Sequence, residues 1–538
     1  MLTESTDLAC QSQGLFSVSL YDTLGPETTE YIIGHAELAC VATSINHIPV
    51  LLKLKPRLPS LKLIVSLDPL NEGERPGESK QDILDAIARD LGVTILSIKD
   101  VEAIGAANPD APYNPPVPED IVTINYTSGT TGNPKGVVLT HANAVAGASS
   151  AMVIVKQQPI DVSPSFLPLA HIYQRNGEHM ALFSGGMIGY FHGVITELVD
   201  DLKVLRPTGF AGVPRLYNRF GAAITAATLD QPGLKGKLAR HIVSTKLAAI
   251  NDPKATVGAN KHALYDRIFC RKASAAFGLE RVHTMVTGSA PLDPTLQQFL
   301  RTIFPGHIVQ GYGLTETYAV ATAQLPGDFS CGNCGAVAPA AELCLEDVPD
   351  MEYMSTDKPH PRGEVLVRGN TLFREYYKNP EETAKAIDKD GWFHTGDIGL
   401  IDEMGRVKII DRKKNVLKLA QGEYLSPERI ENVYLANCGY LAIAFVHGES
   451  TESCVIGLFG VAPDGFAPFA SKVLGKTYTA TDLEGLREAC ADERMRKAVL
   501  KDLEKIGRKY KFNSWEKVKA VRLMVDPFTI DNDLLTPT

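Results

Sequence analysis

Residues Tyr126 to Gly136 read YTSGTTGNPKG and follow at once on a short β-rich run, Asp120 to Tyr126. Gly129, Gly132 and Gly136 let backbone N–H groups approach an anion closely, Ser128, Thr130 and Thr131 offer hydroxyls, and Lys135 adds a positive charge on a long arm. These are the parts a loop needs to hold a polyphosphate. The spacing is not that of the P-loop, in which Ser or Thr follows the lysine after a different glycine pattern. For the loop taken alone, a surface turn rich in Gly and Thr is the alternative.

On either side of the loop, strand-like and helix-like segments alternate. LKLIVSL (61 to 67) is followed by the helical pattern KQDILDAIARDLG. Alternation of this kind favours an α/β architecture in which helices cover sheets. The proline-rich stretch NPDAPYNPPVPED (108 to 120) reads as an extended surface connection. Residues 391 to 432 carry many turns and charges, and a smaller segment of strand and helix beyond them ends in an amphipathic helix expected around Arg487 to Ile506. There is no internal repeat and no low-complexity tract.

A chain of 538 residues is long enough for more than one domain. Its net charge of −9 argues against nucleic acid as a partner, because phosphate-backbone binding wants a basic surface. Nine scattered cysteines, an odd number, point to reduced thiols rather than a disulfide framework. The opening residues lack the basic and apolar regions of a secretory signal. The most apolar stretch, Met180 to Phe191, is too short and too glycine-rich to span a bilayer. The closing LLTPT is not a peroxisomal address. The expected location is cytoplasmic, with no integral membrane segment; peripheral contact with the endoplasmic reticulum or another organelle membrane stays open.

The glycine-rich loop does not stand alone. LPLAHIYQR lies at 167 to 175, VPRLYNR at 213 to 219, GSAPLD at 288 to 293 and GYGLTET at 311 to 317. RGEVLVRGN follows at 362 to 370, GWFHTGDIG at 391 to 399 and KIIDRKKNVLKLAQGEYLSPERIENVY at 408 to 434. In this order the segments resemble the signatures of the adenylate-forming (AMP-binding) superfamily, across nearly the whole chain. LKLAQGEYLSPERIE, together with SLYDTLGPETTEYIIGHAE (19 to 37), is similar to the long-chain fatty-acyl-CoA synthetases of eukaryotes, more than to luciferases or peptide-synthetase adenylation domains.

The resemblance implies a large, multi-subdomain N-terminal domain of layered sheets and helices (1–410) and a small mobile α+β C-terminal domain (411–538), with Asp411 at the hinge. It implies activation of medium- to long-chain fatty acids by ATP and Mg²⁺ through an acyl-adenylate, then transfer to CoA. Loading of an acyl starter into a natural-product pathway, or a catalytically weakened protein that binds nucleotide and acyl groups, are the alternatives. Lys135, Thr315 and Glu316 take the catalytic roles, with Thr315 on the α-phosphate and Glu316 and Thr127 at Mg²⁺, a hard cation suited to oxygen ligands. Tyr312 would lie against adenine, and Asp397 would accept the ribose hydroxyls. The nucleotide contacts extend to Ser128, Gly129, Thr130, Thr131, Gly132, Gly288, Gln310, Gly311 and Gly313, and to Arg412, Lys414 and Lys418; Lys413 is not included.

For several of these residues a bland alternative exists: a solvated helix-start carboxylate for Glu316, a turn-capping aspartate for Asp397, a solvated face for the 412–418 cations. Cys331-Gly-Asn-Cys334 has metal-like spacing but no second pair nearby, so a structural loop is expected. Leu474-Gly475-Lys476-Thr477 lacks the first glycine of a Walker loop. His171 is expected to pack or line a pocket, and Met285, Val286 and Phe299 to be core or to line an acyl tunnel. The family has a further long segment before LFSVSLYDTLGPE, where this chain has 14 residues, and it continues past LLTPT into a strand with a lysine used in adenylation. No residue here is assigned that lysine's role.

Overall fold

The computed structural model describes residues 2–21, 24–71, 79–127, 133–252, 254–255, 257–413, 415, 417–420, 423–449, 451–525 and 528. The β-rich run before the glycine loop is the strand Ile121–Thr127, buried over most of its length. It pairs antiparallel with Lys135–Thr140, Thr127 opposite Lys135, so two strand ends flank the loop. At the far end Thr140 turns the chain into the helix His141–Val155 by a reciprocal cap with Asn143, whose N–H donates to Thr140 Oγ1 at 3.2 Å while its Oδ1 accepts from Thr140 N–H at 2.9 Å. A third strand, Glu375–Tyr376, pairs with the other edge of Lys135–Thr140 and carries residues from much later in the chain to the loop.

Two larger sheets supply the rest of the frame. Gly209–Gly212, Thr284–Thr287 and His307–Tyr312 run parallel, the pairing expected of strands joined by helical crossovers, and short antiparallel strands Thr322–Ala323 and Ala336–Val337 extend that sheet. Ala341–Glu346, Arg362–Gly369, Phe393–Ile401 and Val407–Arg412 form a four-stranded antiparallel sheet. Cys40–Thr43, Leu63–Ser66 and Thr94–Ser97 form a small parallel sheet nearer the start. Layered sheets with covering helices are the α/β arrangement expected from the alternating pattern. Met180 to Phe191 breaks at Gly185, in the left-handed region, into a helix end and the strand Met187–Tyr190. Among the described residues no helix is long and apolar enough to cross a membrane.

One hydrophobic core draws its buried residues wholly from 419 to 525, among them Tyr434, Phe459, Phe466 and Met495. The amphipathic helix expected around Arg487 to Ile506 is two helices, Leu483–Ala491 and Glu493–Lys509. Asp492 between them is extended, and its carboxylate accepts from Arg494 N–H at 2.7 Å; a good N-cap residue interrupts a continuous apolar stripe. Leu474 ends a helix, and Gly475, at φ 71°, is its left-handed stop.

The helix Leu2–Ser12 is tied down by a buried ion pair. Arg175, fully buried in the helix Ile172–Ser184, donates to Asp7 Oδ2 at 2.5 Å and to Ser19 Oγ at 2.7 Å, and Gln11 donates to the same Asp7 oxygen at 2.6 Å. Removing one partner of such a pair leaves a charge buried and unmatched. We expect Arg175→Met to lower stability by about 3–5 kcal/mol, read as a shift of the urea midpoint, and Arg175→Met combined with Asp7→Leu to recover much of that loss.

Candidate active site

The ends of the strands named above bring distant motifs together. His307–Tyr312 delivers Tyr312 and runs into the turn that carries Glu316, within the short helix Thr315–Thr317. The chain then doubles back through Tyr318 and Ala319, both at positive φ (48° and 69°), a strained conformation that non-glycine residues adopt rarely and that clusters at functional sites. This reversal presses Ala319 against Gly313, where a Cβ would lie 2.2 Å from the Ala319 carbonyl oxygen; only glycine fits the middle of GYGLTET.

Glu316 is buried, and Tyr376 Oη donates to its Oε1 at 2.8 Å. Burial raises the carboxyl's pKa, against the pull of the Tyr376 hydroxyl and of Lys135. The Lys135 ammonium lies 5.0 Å from the centre of the Tyr376 ring and is ion-paired with Glu382. Tyr376 is therefore the bridge between the lysine of the glycine loop and the carboxylate of GYGLTET. Bonds from Lys135 and Lys385 hold the Glu382 carboxyl down at about 2.

A second carboxylate sits on the next sheet. Asp397 is buried in the strand Phe393–Ile401, opposite Arg412 in the ladder. Tyr312 Oη donates to its Oδ2 at 2.6 Å, and Arg412 Nε lies 3.2 Å from its Oδ1. Burial raises its pKa, and Arg412 and Tyr312 oppose that. Lys413 is turned away to Glu364, 2.8 Å from its Oε2. Asp411 is buried, accepts from Arg412 N–H at 2.8 Å, and is pushed up by burial to about 6.

Of the residues singled out in the sequence, Lys135, Glu316, Tyr312, Asp397 and Arg412 thus share one neighbourhood, with Thr127 opposite Lys135 and Thr315 beside Glu316. Gly288 follows the neighbouring strand, 3.7 Å from the Gly311 carbonyl oxygen when a Cβ is built on it. Gln310 is different: its side chain points behind the strand, donating to Asn333 O at 3.2 Å and accepting from Leu292 N–H at 2.8 Å. The Cys331–Cys334 loop packs on this same glutamine, with Cys334 Sγ 3.5 Å from its Nε2. Ser128, Gly129, Thr130, Thr131, Gly132 and Lys414 lie outside the described residues; Lys418 is on the short strand Leu417–Lys418, its side chain likewise outside them. His171 caps its helix, accepting from Tyr173 N–H at 3.2 Å, and burial lowers its pKa. Met285 is core and Phe299 packs against that core, whereas Val286 lines a cavity shared with Tyr173 and Phe210.

Tyr376 and Glu382 were not legible as site residues. They lie in REYYKNPEETAKA, where Asn379, Pro380 and two early glutamates read as an ordinary capped helix start, which the helix Pro380–Ala386 also is.

Residues 5–377 match the model of the AMP-binding enzyme family, and the chain belongs to that family. It is 60% identical over 533 residues to "Acyl-CoA ligase 891, peroxisomal" of Penicillium brevicompactum, a match covering 99% of this chain and 75% of that one. Identity to "Long chain acyl-CoA synthetase 7, peroxisomal" of Arabidopsis thaliana is 42% over 535 residues, covering 99% and 73%. The A domain of carboxylic acid reductase from Segniliparus rugosus, solved with AMP and a co-purified carboxylic acid, superposes with a TM-score of 0.77 at 25% identity, covering 100% of this chain and 77% of that one.

Two outcomes follow from this geometry. The Lys135–Glu382 pair is partly exposed and so worth at most about 1 kcal/mol. If Lys135 meets the nucleotide phosphates as the family resemblance implies, they would displace Glu382; Glu382→Gln would then tighten ATP binding by about two- to fivefold and Lys135→Ala weaken it, both read by equilibrium titration. The raised pKa of Asp411 means that its neutral form fits the fold better. Its contribution is full below about 3.8 and lost as pH rises through about 6. Glu431, raised by burial to about 7, acts in the same direction. The difference between the chain and Asp411→Asn isolates Asp411: urea midpoints from pH 4 to 7 should fall less steeply in the variant.

Proposed function

We propose that this chain is an ATP-dependent acid:CoA ligase that activates medium- to long-chain fatty acids. The observation that carries the reading is the meeting of Lys135, Glu316, Tyr312, Asp397 and Arg412 in one neighbourhood, near a cavity whose walls include Tyr173, Phe210 and Val286. A carboxylate oxygen of the acid attacks the α-phosphorus of ATP, and pyrophosphate leaves. The CoA thiolate then attacks the carbonyl carbon of the acyl-adenylate, and AMP leaves.

Each side chain has a role in that sequence. Asp397, already placed by Tyr312, accepts from the ribose hydroxyls; Tyr312 offers its ring to adenine. Lys135 leaves Glu382 for the phosphates, and its charge offsets what develops at phosphorus. Thr315 stands at the α-phosphate. Glu316 suits a hard divalent cation: Tyr376 occupies one oxygen and, among the described residues, no side chain bonds the other. Thr127 and Glu316 would hold Mg²⁺, which supplies further charge neutralisation at the phosphates when bound.

Residues 411–538 are the moving part in this reading, and 1–410 the holder of nucleotide and acid. The separate core between residues 419 and 525 supports it. So does the cross-contact of Tyr510 Oη with Asp293 Oδ2 of GSAPLD, 2.9 Å, a single hydroxyl hydrogen bond that a rotation can break at low cost. Closure keeps water from the mixed anhydride. For location, the cytoplasm expected from the sequence and the peroxisome in the relatives' names are separated by imaging a tagged protein beside a peroxisomal marker.

The test is fatty-acid-dependent, CoA-dependent release of AMP by the folded protein. Glu316→Gln should cut adenylation, followed by pyrophosphate exchange, by about 10²–10³. Lys135→Ala should cost less, because backbone amides still reach the polyphosphate. A folded sample that neither binds nucleotide nor forms acyl-CoA removes the reading.

A further inference from the structure

The cavity between the helix Ile172–Ser184 and the strands Gly209–Gly212 and Thr284–Thr287 has features that a plain hydrocarbon chain does not need. The first is Gly177, in the middle of that helix and on the cavity wall. Its φ is not positive, and a Cβ built on it meets nothing within 4 Å. Neither conformation nor close packing calls for glycine there, and glycine weakens a helix interior relative to alanine. What it adds is width in the cavity.

The second feature is polar. Gln157 lines the same cavity at 8% exposure, and among the described residues its Nε2 has no hydrogen-bond partner. A buried donor without an acceptor is costly, and a ligand atom that accepts from it removes the cost. Ser163 brings a hydroxyl to the same wall, 3.6 Å from a Cβ built on Gly209. Glu178 also lines the cavity, with one carboxylate oxygen met from within the protein. Ser165 and Gln174 donate to Oε1 at 2.6 and 2.8 Å. Its Oε2, like both oxygens of the neighbouring Glu4, has no hydrogen-bond partner among the described residues, so a hydroxyl seated here could donate to it; burial raises the Glu4 pKa. His283 is taken by Asp161 at 2.7 Å. No lysine or arginine is among the lining residues, so nothing there matches an anionic group. A neutral oxygen does fit: a hydroxyl, ether or carbonyl.

We propose that this cavity seats the far part of the acyl group and selects acids that carry a neutral oxygen there, with Gln157 donating to that oxygen and Gly177 giving it room. The inference rests on the acid:CoA ligase reading and narrows its substrate class from plain fatty acids to oxygenated ones. A cavity with an unmatched buried donor favours the acid whose oxygen accepts from it over the analogue that lacks that oxygen.

The test compares kcat/KM of the full chain for chain-matched pairs: dodecanoate and hexadecanoate against their ω-hydroxy, mid-chain hydroxy and mid-chain oxo forms. At least one oxygenated acid should be favoured by about tenfold, the worth of one neutral hydrogen bond. Gln157→Leu should bring that ratio to about one, and Gln157→Met provides the same readout if the leucine variant does not fold. Gly177→Leu should lower kcat/KM most for the favoured acid, with no fall in the thermal midpoint, because the helix gains a better former. Equal use of plain and oxygenated acids by the unaltered chain, or a preference untouched at position 157, overturns the proposal and leaves the ligase reading standing. Failure with every acid in a folded sample removes the ligase reading itself, and the proposal with it.

Discussion

A carboxylate withdrawn from water has to be met by donors, and the way Asp397 is met ties the site together. Its Oδ2 takes the hydroxyl of Tyr312 from the end of the parallel sheet, and its Oδ1 faces Arg412 from the next strand of its own sheet. One buried side chain therefore joins the parallel sheet, the antiparallel sheet and the residue that follows Asp411. The same device recurs a short distance away, where the Tyr376 hydroxyl meets buried Glu316. In both places a tyrosine serves because its ring packs among apolar neighbours while its hydroxyl reaches a polar partner. Loss of either hydroxyl would leave a buried acceptor poorly satisfied, at a cost larger than the net worth of the bond.

The cations of the site are held in a comparable way. Lys135 is paired with Glu382, Arg412 with Asp397 and Lys413 with Glu364. In the ligase reading, a polyphosphate would exchange one anionic partner for another at Lys135 and Arg412. Such exchange limits affinity and favours release of products, which suits a site that must shed pyrophosphate and later AMP. The Glu364 pair differs in that its carboxylate also accepts from Gly396 N–H at 3.1 Å, which sets the turn before Asp397. Lys413 thus acts on the backbone of HTGD from behind, which accounts for its separation from Arg412 despite their adjacency in sequence.

Tyr173 lies between the GSAPLD turn and the cavity. Its hydroxyl donates to the Val286 carbonyl at 3.0 Å, and its ring is 4.0 Å from a Cβ built on Gly288. The motif GSAPLD consequently touches both Gly311 of GYGLTET and Tyr173 of the cavity wall. Through Asp293 it also touches the C-terminal part, with one oxygen capping the helix Pro294–Ile303 and the other accepting from Tyr510.

The sequence by itself determined the α/β class, the family and the strand that leads into YTSGTTGNPKG. Those features are written in local backbone chemistry: glycines for close approach, β-rich runs for strands, caps for helix starts. Only the tertiary structure decided which side chains meet. Tyr312 and Asp397 are 85 positions apart, Glu316 and Tyr376 60, and Lys135 and Glu382 247, and no periodicity encodes such pairings. The same holds for Gln310, motif-adjacent yet turned into a buried network, and for Gly177 and Gln157, which are unremarked in sequence until two sheets and a helix enclose them. The break at Asp492 divides the two levels in a single residue. The apolar stripe through 487 to 506 is continuous in sequence, but a side chain that can cap a helix start outweighs it once both halves pack on the same core.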